Sequence, residues 1–120
     1  MLEKFSNYVH KNLPFLKDKK LLVAVSGGID SVALATLLSA LKFSISLAHC
    51  NFNLRGEESK LDEEFVKKLG RKLNALVYTK QFKTKEFALE NKTSIQITAR
   101  NLRYKWFSEL MGQNSFDYVL

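Results

Sequence analysis

The run Leu21-Leu22-Val23-Ala24-Val25-Ser26-Gly27-Gly28-Ile29-Asp30-Ser31, continued by Val32-Ala33-Leu34-Ala35-Thr36-Leu37-Leu38, decides the fold. Its opening residues are apolar and partly β-branched, the pattern of a strand buried on both faces. Two glycines break the run, and an apolar helical segment begins at once, with Ser26, Asp30 and Ser31 as capping types at the junction. A strand, a glycine turn and a helix start aim backbone N–H groups at an anion, and the helix dipole adds to the attraction. Gly27 and Gly28 permit positive φ and leave no Cβ in the way of a phosphate. The bland alternative is a plain strand-to-helix turn with polar caps. No Lys follows the glycines, so this is not a Walker A loop, and the dinucleotide fingerprint G-x-G-x-x-G is also absent.

Working outward, the pattern predicts strand one over residues 20–25 and a helix over 30–41. Residues 43–49 read as strand two, and Asn51-Phe52-Asn53-Leu54-Arg55-Gly56 as a polar loop. Ser59-Lys60-Leu61-Asp62 fits a capping box that starts the next helix, with Leu61, Phe65, Leu69 and Leu73 as its expected buried stripe. Strand three is expected over 75–79 and a short helix over 85–90. Thr93-Ser94-Ile95-Gln96 opens a further helix, with Ile95, Ala99, Leu102, Trp106 and Leu110 on one face and Gly112 as its stop. Residues 117–120 read as the opening of strand four. Upstream, Leu2, Phe5, Val9 and Leu13 share a face of a helix over 1–13 that Pro14 ends.

Strands alternating with helices imply an α/β fold with a parallel sheet, right-handed crossovers and one domain over 1–120. Parallel strands are buried, so a chain that stops inside strand four is expected to be the N-terminal piece of a longer protein. The unmatched side of that strand is then expected to pair with another copy as a homodimer.

The 120 residues carry a formal net charge of +7, which suits a polyanionic partner such as RNA. A single cysteine, Cys50, excludes an internal disulfide and a four-cysteine metal site within the segment, and is consistent with a reducing cytoplasm. No apolar run is long enough to cross a membrane.

The hexapeptide Ser26-Gly27-Gly28-Ile29-Asp30-Ser31 resembles the PP-loop of the N-type ATP pyrophosphatases, which cut ATP between the α and β phosphates. Two further stretches sharpen the likeness: Ala48-His49-Cys50-Asn51-Phe52-Asn53-Leu54-Arg55-Gly56-Glu57-Glu58-Ser59, with Asp62 and Phe65-Val66 following, and Ala99-Arg100-Asn101-Leu102-Arg103-Tyr104-Lys105-Trp106-Phe107. Together they are similar to the tRNA(Ile)-lysidine synthetase family over nearly the whole chain. That resemblance implies a three-layer α/β/α fold, Rossmann-like and of the adenine nucleotide alpha hydrolase type, cut after the start of strand four. It also implies adenylation of the wobble cytidine of an isoleucine tRNA with a CAU anticodon, followed by displacement of AMP by free L-lysine. ATP and Mg2+ are the implied cofactors.

Carried onto this chain, the resemblance makes Ser26, Gly27, Gly28, Ile29, Asp30 and Ser31 the pyrophosphate cradle. Asp30 becomes the magnesium ligand or its organiser, unless it only caps the helix. Arg100 becomes a phosphate-contacting catalytic residue, with Arg103 open and a solvated helix face as the alternative for both. His49 is placed beside the adenosine, against the alternative of a structural histidine at a strand end. Arg55 and Glu57 are assigned to a loop that faces the tRNA or gates the site, and the acidic face of the next helix is expected to point away from RNA. Cys50 reads as a small buried residue rather than a nucleophile. The family pattern H-V-N-H-G-L-R is altered here, with Phe52 in place of a histidine and Asn53 in place of a glycine whose left-handed conformation Asn can still adopt. Two other readings stay open: another PP-loop enzyme acting on tRNA, of the thiolase type, and a nucleotide- or RNA-binding module without catalysis. The segment alone is expected to be inactive, because the lysine pocket and most tRNA contacts are expected beyond Leu120.

Overall fold

The structure is a computed structural model that describes residues 2–120; the expected first residue of helix one, Met1, lies outside them. Helix α1 (Leu2–Asn12) and a short turn of tighter helix at Pro14–Leu16 lead into β1 (Lys20–Ala24). Then come α2 (Ile29–Ala40), β2 (Ser44–Asn51), α3 (Glu57–Leu73), β3 (Val77–Gln81), α4 (Thr84–Asn91), α5 (Ile95–Asn114) and β4 (Tyr118–Val119). The four strands form one sheet in the order β3-β2-β1-β4, and every neighbouring pair is parallel. From β1 the chain therefore steps outward through β2 to β3, then returns to place β4 on the other side of β1. The order reverses at β1, and ligands of open α/β sheets bind beyond the carboxyl ends of strands at such a reversal.

Alternation along the strands builds two cores. On one face, Val23 of the first strand, Val25 just after it and Leu47 of the second strand meet Ala35 and Leu38 of α2 and Val66 and Leu69 of α3. On the other, Leu22 and Ala48 meet Trp106, Phe107 and Leu110 of α5, with Phe82 and Phe116. Helices cover both faces, which gives the expected three layers and explains why β1 is apolar without interruption.

Four local expectations are corrected. Helix α3 starts at Glu57, two residues before Ser59, so the capping box does not form; the Ser59 hydroxyl instead accepts from the Arg55 amide at 3.1 Å. Its buried face is Ser59, Glu63, Val66, Leu69 and Gly70, while Leu61 and Phe65 are 59% and 46% exposed. Gly70 sets that rotation, because a Cβ there would lie 2.0 Å from Val77 Cγ2, and only a bare backbone lets α3 approach β3 this closely. Strand β3 is displaced two residues from the expected 75–79. Helix α5 runs through Gly112 and ends where Ser115 turns left-handed at φ 56°. Two other expectations hold: α5 opens within Thr93-Ser94-Ile95-Gln96, where Ser94 accepts from the Ile97 amide, and Trp106 is a core residue.

Candidate functional site

Pairing of β1 continues one residue beyond the strand, where the Val25 amide donates to Ala48 O at 2.9 Å. The chain then turns through Gly27 at φ +96°, a conformation closed to most side chains, and α2 begins. Two hydroxyls brace the turn. Ser31 Oγ accepts from the Ser26 amide and donates to Gly28 O, each at 3.2 Å, while Ser26 Oγ accepts from the Gly28 amide at 3.3 Å. Gly28, at the N-cap position, has no side chain to offer α2, so the first-turn amides of Ile29, Asp30 and Ser31 carry no side-chain cap. The six residues expected to cradle phosphate thus form one braced turn at the start of α2, with the Gly28 amide taken by Ser26.

His49 sits at the end of β2, 4% exposed, and its Nδ1 donates to Val25 O at 2.7 Å. It therefore ties the neighbouring strand to the residue just before the turn. In the neutral ring this leaves Nε2 as the lone-pair nitrogen. His49 also lines a cavity of about 300 Å³ with Ser26, Asn51, Phe52, Leu54, Arg55, Ser59 and Asp62. The loop over this cavity is held at several points. Asn53 takes the left-handed conformation at φ 54°, its amide donates to Asn51 Oδ1 at 2.9 Å, and its side chain donates to Phe82 O at 3.0 Å.

Asp62 belongs to the family-like stretch but carries no site role on the sequence alone, and the structure brings it to the turn. Its carboxylate lies directly over Gly27, so that a Cβ on Gly27 would sit 3.2 Å from Asp62 Oδ1. Asp62 is also ion-paired with Arg55, whose other terminal nitrogen lies 3.4 Å from Glu58. In the sequence, Asp62 reads as one acid in a charged helix face. The available signal was its place in the S-x-x-D stretch that follows the L-R-G-E-E motif.

The other expected residues lie apart from this cavity. Asp30, exposed in the first turn of α2, lines a shallow depression with Lys4, Phe5, Ala33, Leu34 and Leu37, toward α1. Arg100 is exposed on α5, and Arg100 and Arg103 both lie near the Tyr104 ring, at 5.4 and 5.6 Å. Of the two, Arg103 lines a depression with Ala24 and Leu120 at the carboxyl ends of β1 and β4. Burial pushes the Cys50 thiol up to about 12, against the opposing pull of Arg103 and Lys80, so it stays protonated near neutrality.

Among the described residues no three His, Cys, Asp or Glu side chains gather into a metal cage. Magnesium does not require one, since it is commonly held by one or two carboxylates together with substrate phosphates. Asp30, exposed in the first turn of α2, is the carboxylate that such an arrangement would use, while Asp62 is already paired with Arg55. No helix among the described residues is long and apolar enough to cross a membrane.

A family model described as the PP-loop domain matches residues 1–120. The chain is 48% identical, over 86% of its length, to a tRNA(Ile)-lysidine synthase of Bacteroides thetaiotaomicron, covering 24% of that protein. It is 45% identical over 85% of its length to one from Porphyromonas gingivalis, and 38% identical over 98% to one from Chlorobaculum tepidum, covering 22% and 37% of those proteins. The chain thus spans about a quarter to a third of the length of these curated relatives. In three dimensions it resembles an NMN synthetase of Francisella tularensis with a TM-score of 0.73 at 18% identity, covering 98% of this chain and 51% of that one. An NH3-dependent NAD synthetase of Campylobacter jejuni aligns with a TM-score of 0.71 at 17% identity, covering 98% and 53%. At those identities the likeness concerns the fold.

Proposed function

The chain belongs to the PP-loop family, and on that premise we propose that it is the ATP-binding part of a tRNA(Ile)-lysidine synthetase. The observation that carries the proposal is the braced glycine turn at the point where strand order reverses, with uncapped helix amides beyond it. In this reading the amides of Gly27, Gly28 and Ile29 and the hydroxyls of Ser26 and Ser31 hold the outer phosphates of ATP. The uncapped amides at the start of α2 are held in place by the helix, while the Gly28 amide and the Ser31 hydroxyl, bonded within the turn, exchange those partners for phosphate oxygens as the charge on departing pyrophosphate develops. His49 lies at the wall of the cavity next to the turn, where the adenosine is expected, and holds the Val25 carbonyl in place. Asp30 supplies a carboxylate to magnesium, and Arg100 a planar fork for a phosphate of ATP or RNA. Magnesium, when bound, offsets the remaining charge of the pyrophosphate.

The reaction then runs in two displacements. The cytidine O2 attacks the α phosphorus and pyrophosphate leaves; the lysine ε-amine attacks C2 and AMP leaves. Similarity to named tRNA(Ile)-lysidine synthases supports an isoleucine tRNA and lysine as the substrates. A thiolase-type reading needs a nucleophilic sulfur, and a Cys50 thiol raised to about 12 is a poor one. The test is AMP release by the full-length protein on an isoleucine tRNA transcript with a CAU anticodon. Release that depends on added lysine supports the proposal. Binding of ATP with no AMP formed, with or without lysine, would favour a module without catalysis.

A further inference from the structure

An acidic side chain directly over the glycine of a phosphate cradle is unexpected. Alone, a carboxylate 3.2 Å from the Cβ position of Gly27 would repel an arriving triphosphate. The Arg55 guanidinium removes the conflict by pairing with Asp62. One terminal nitrogen of the fork meets Asp62 and the other Glu58, two acids one turn apart on α3. The Arg55 amide is held as well, by Ser59 at 3.1 Å. Backbone and fork of Arg55 are thus both fastened to the first turns of α3, beside the turn that follows β1.

This pair does little for folding. The side chains of Arg55 and Asp62 are 60% and 30% exposed, and ion pairs so open to water contribute about 0–1 kcal/mol. What the pair determines is the position of the guanidinium. A fork with five N–H donors spends only part of them on two carboxylates, so donors remain for an oxyanion. Ser26, Arg55 and Asp62 line the same cavity.

We propose that Asp62 is a positioning residue, holding Arg55 beside the glycine turn so that its fork contacts the outer phosphates of the bound nucleotide. The inference rests on the nucleotide site proposed above. It differs from a purely electrostatic view in sign: if Asp62 were only a negative charge near the turn, its removal would tighten binding.

The experiment measures affinity by titration calorimetry on the full-length protein, using magnesium with α,β-methylene-ATP, which resists cleavage between the α and β phosphates, and AMP in parallel. The isosteric variant Asp62→Asn is expected to weaken the triphosphate analogue about tenfold, the loss of roughly one charge-assisted hydrogen bond, and to leave AMP within about twofold. Arg55→Ala should match it, and Asp62→Asn combined with Arg55→Ala should be no worse than Arg55→Ala alone, because both act through one fork. Unchanged or tighter analogue binding by Asp62→Asn overturns the inference. So do equal losses for analogue and AMP, which would mark a structural role, and additive losses in the double variant. If the unaltered protein binds neither nucleotide, the site reading falls and takes the inference with it. If Ser31→Ala weakens the analogue while Asp62→Asn does not, the inference alone falls.

Discussion

The two ends of α3 are put to different uses. Its first turns are polar and present Asp62 to Gly27, with Arg55, Glu58 and Ser59 fastening the preceding loop. Its last turns are close-packed and offer Gly70 to Val77, with the helix closed by Asn74 in the left-handed conformation and by the Ala75 amide donating to Gly70 O at 2.8 Å. Each end meets a glycine: at Gly27 the left-handed φ of +96° calls for one, and at Gly70 the 2.0 Å approach of Val77 does. At Gly27 the neighbour is a charged side chain at the turn proposed to bind phosphate; at Gly70 it is a core methyl group. A glycine requirement alone does not distinguish a site from a packing contact, and the chemistry of the facing atom does.

That contrast breaks if both glycines respond alike. Gly27→Ala forces an alanine to φ +96° and sets its methyl 3.2 Å from Asp62. We expect a loss of ATP affinity of about a hundredfold or more as the amides shift, with about 1–3 kcal/mol of backbone strain, read by calorimetry and thermal unfolding. Gly70→Ala drives a methyl to 2.0 Å from Val77 and should cost about 1–3 kcal/mol of stability, with ATP affinity unchanged within about twofold. Adding Val77→Ala should recover part of that loss. An equal fall in ATP affinity for both glycine variants would erase the distinction.

Two smaller effects sharpen it. The Cys50 thiol beside the cavity next to the glycine turn, raised to about 12 by burial, should resist iodoacetamide in the native protein at pH 8, where about one molecule in 10⁴ is thiolate. Labelling should rise only as pH climbs toward that value, and rapid labelling at pH 8, followed by mass spectrometry, would contradict the burial. At the packing end, Asn74→Gly relieves a left-handed residue at φ 54° and should raise stability by a few tenths of a kcal/mol, with no effect on ligand.

Much of this architecture was readable in advance because its signals are local. The apolar run of β1, the glycine break and the helix start within Thr93-Ser94-Ile95-Gln96 each depend on a few adjacent residues, and each lies where it was expected. The rotation of α3 was not readable. Leu61 and Phe65 make a plausible apolar stripe at a spacing of four, yet the helix turns them outward, because Gly70 must face Val77 and carries Val66 and Glu63 inward with it. Gly112 keeps a helical φ, so α5 continues through it, and the left-handed residue that ends the helix is Ser115, just before Phe116 packs edge-on against Tyr78. Within the site, the turn and His49 are sequence-local and were named. Asp62 joins Gly27 only through the packing of α3 against the sheet, which no pattern of charges along the helix encodes.

The central claim is that the turn after β1 holds the outer phosphates of a nucleotide, and a structure with magnesium and α,β-methylene-ATP tests it most directly. The account predicts β and γ phosphate oxygens within hydrogen-bond distance of the Gly27 and Ile29 amides, with Arg55 turned onto them. A nucleotide bound elsewhere, with Ser26 still on the Gly28 amide and no phosphate at the turn, would contradict it.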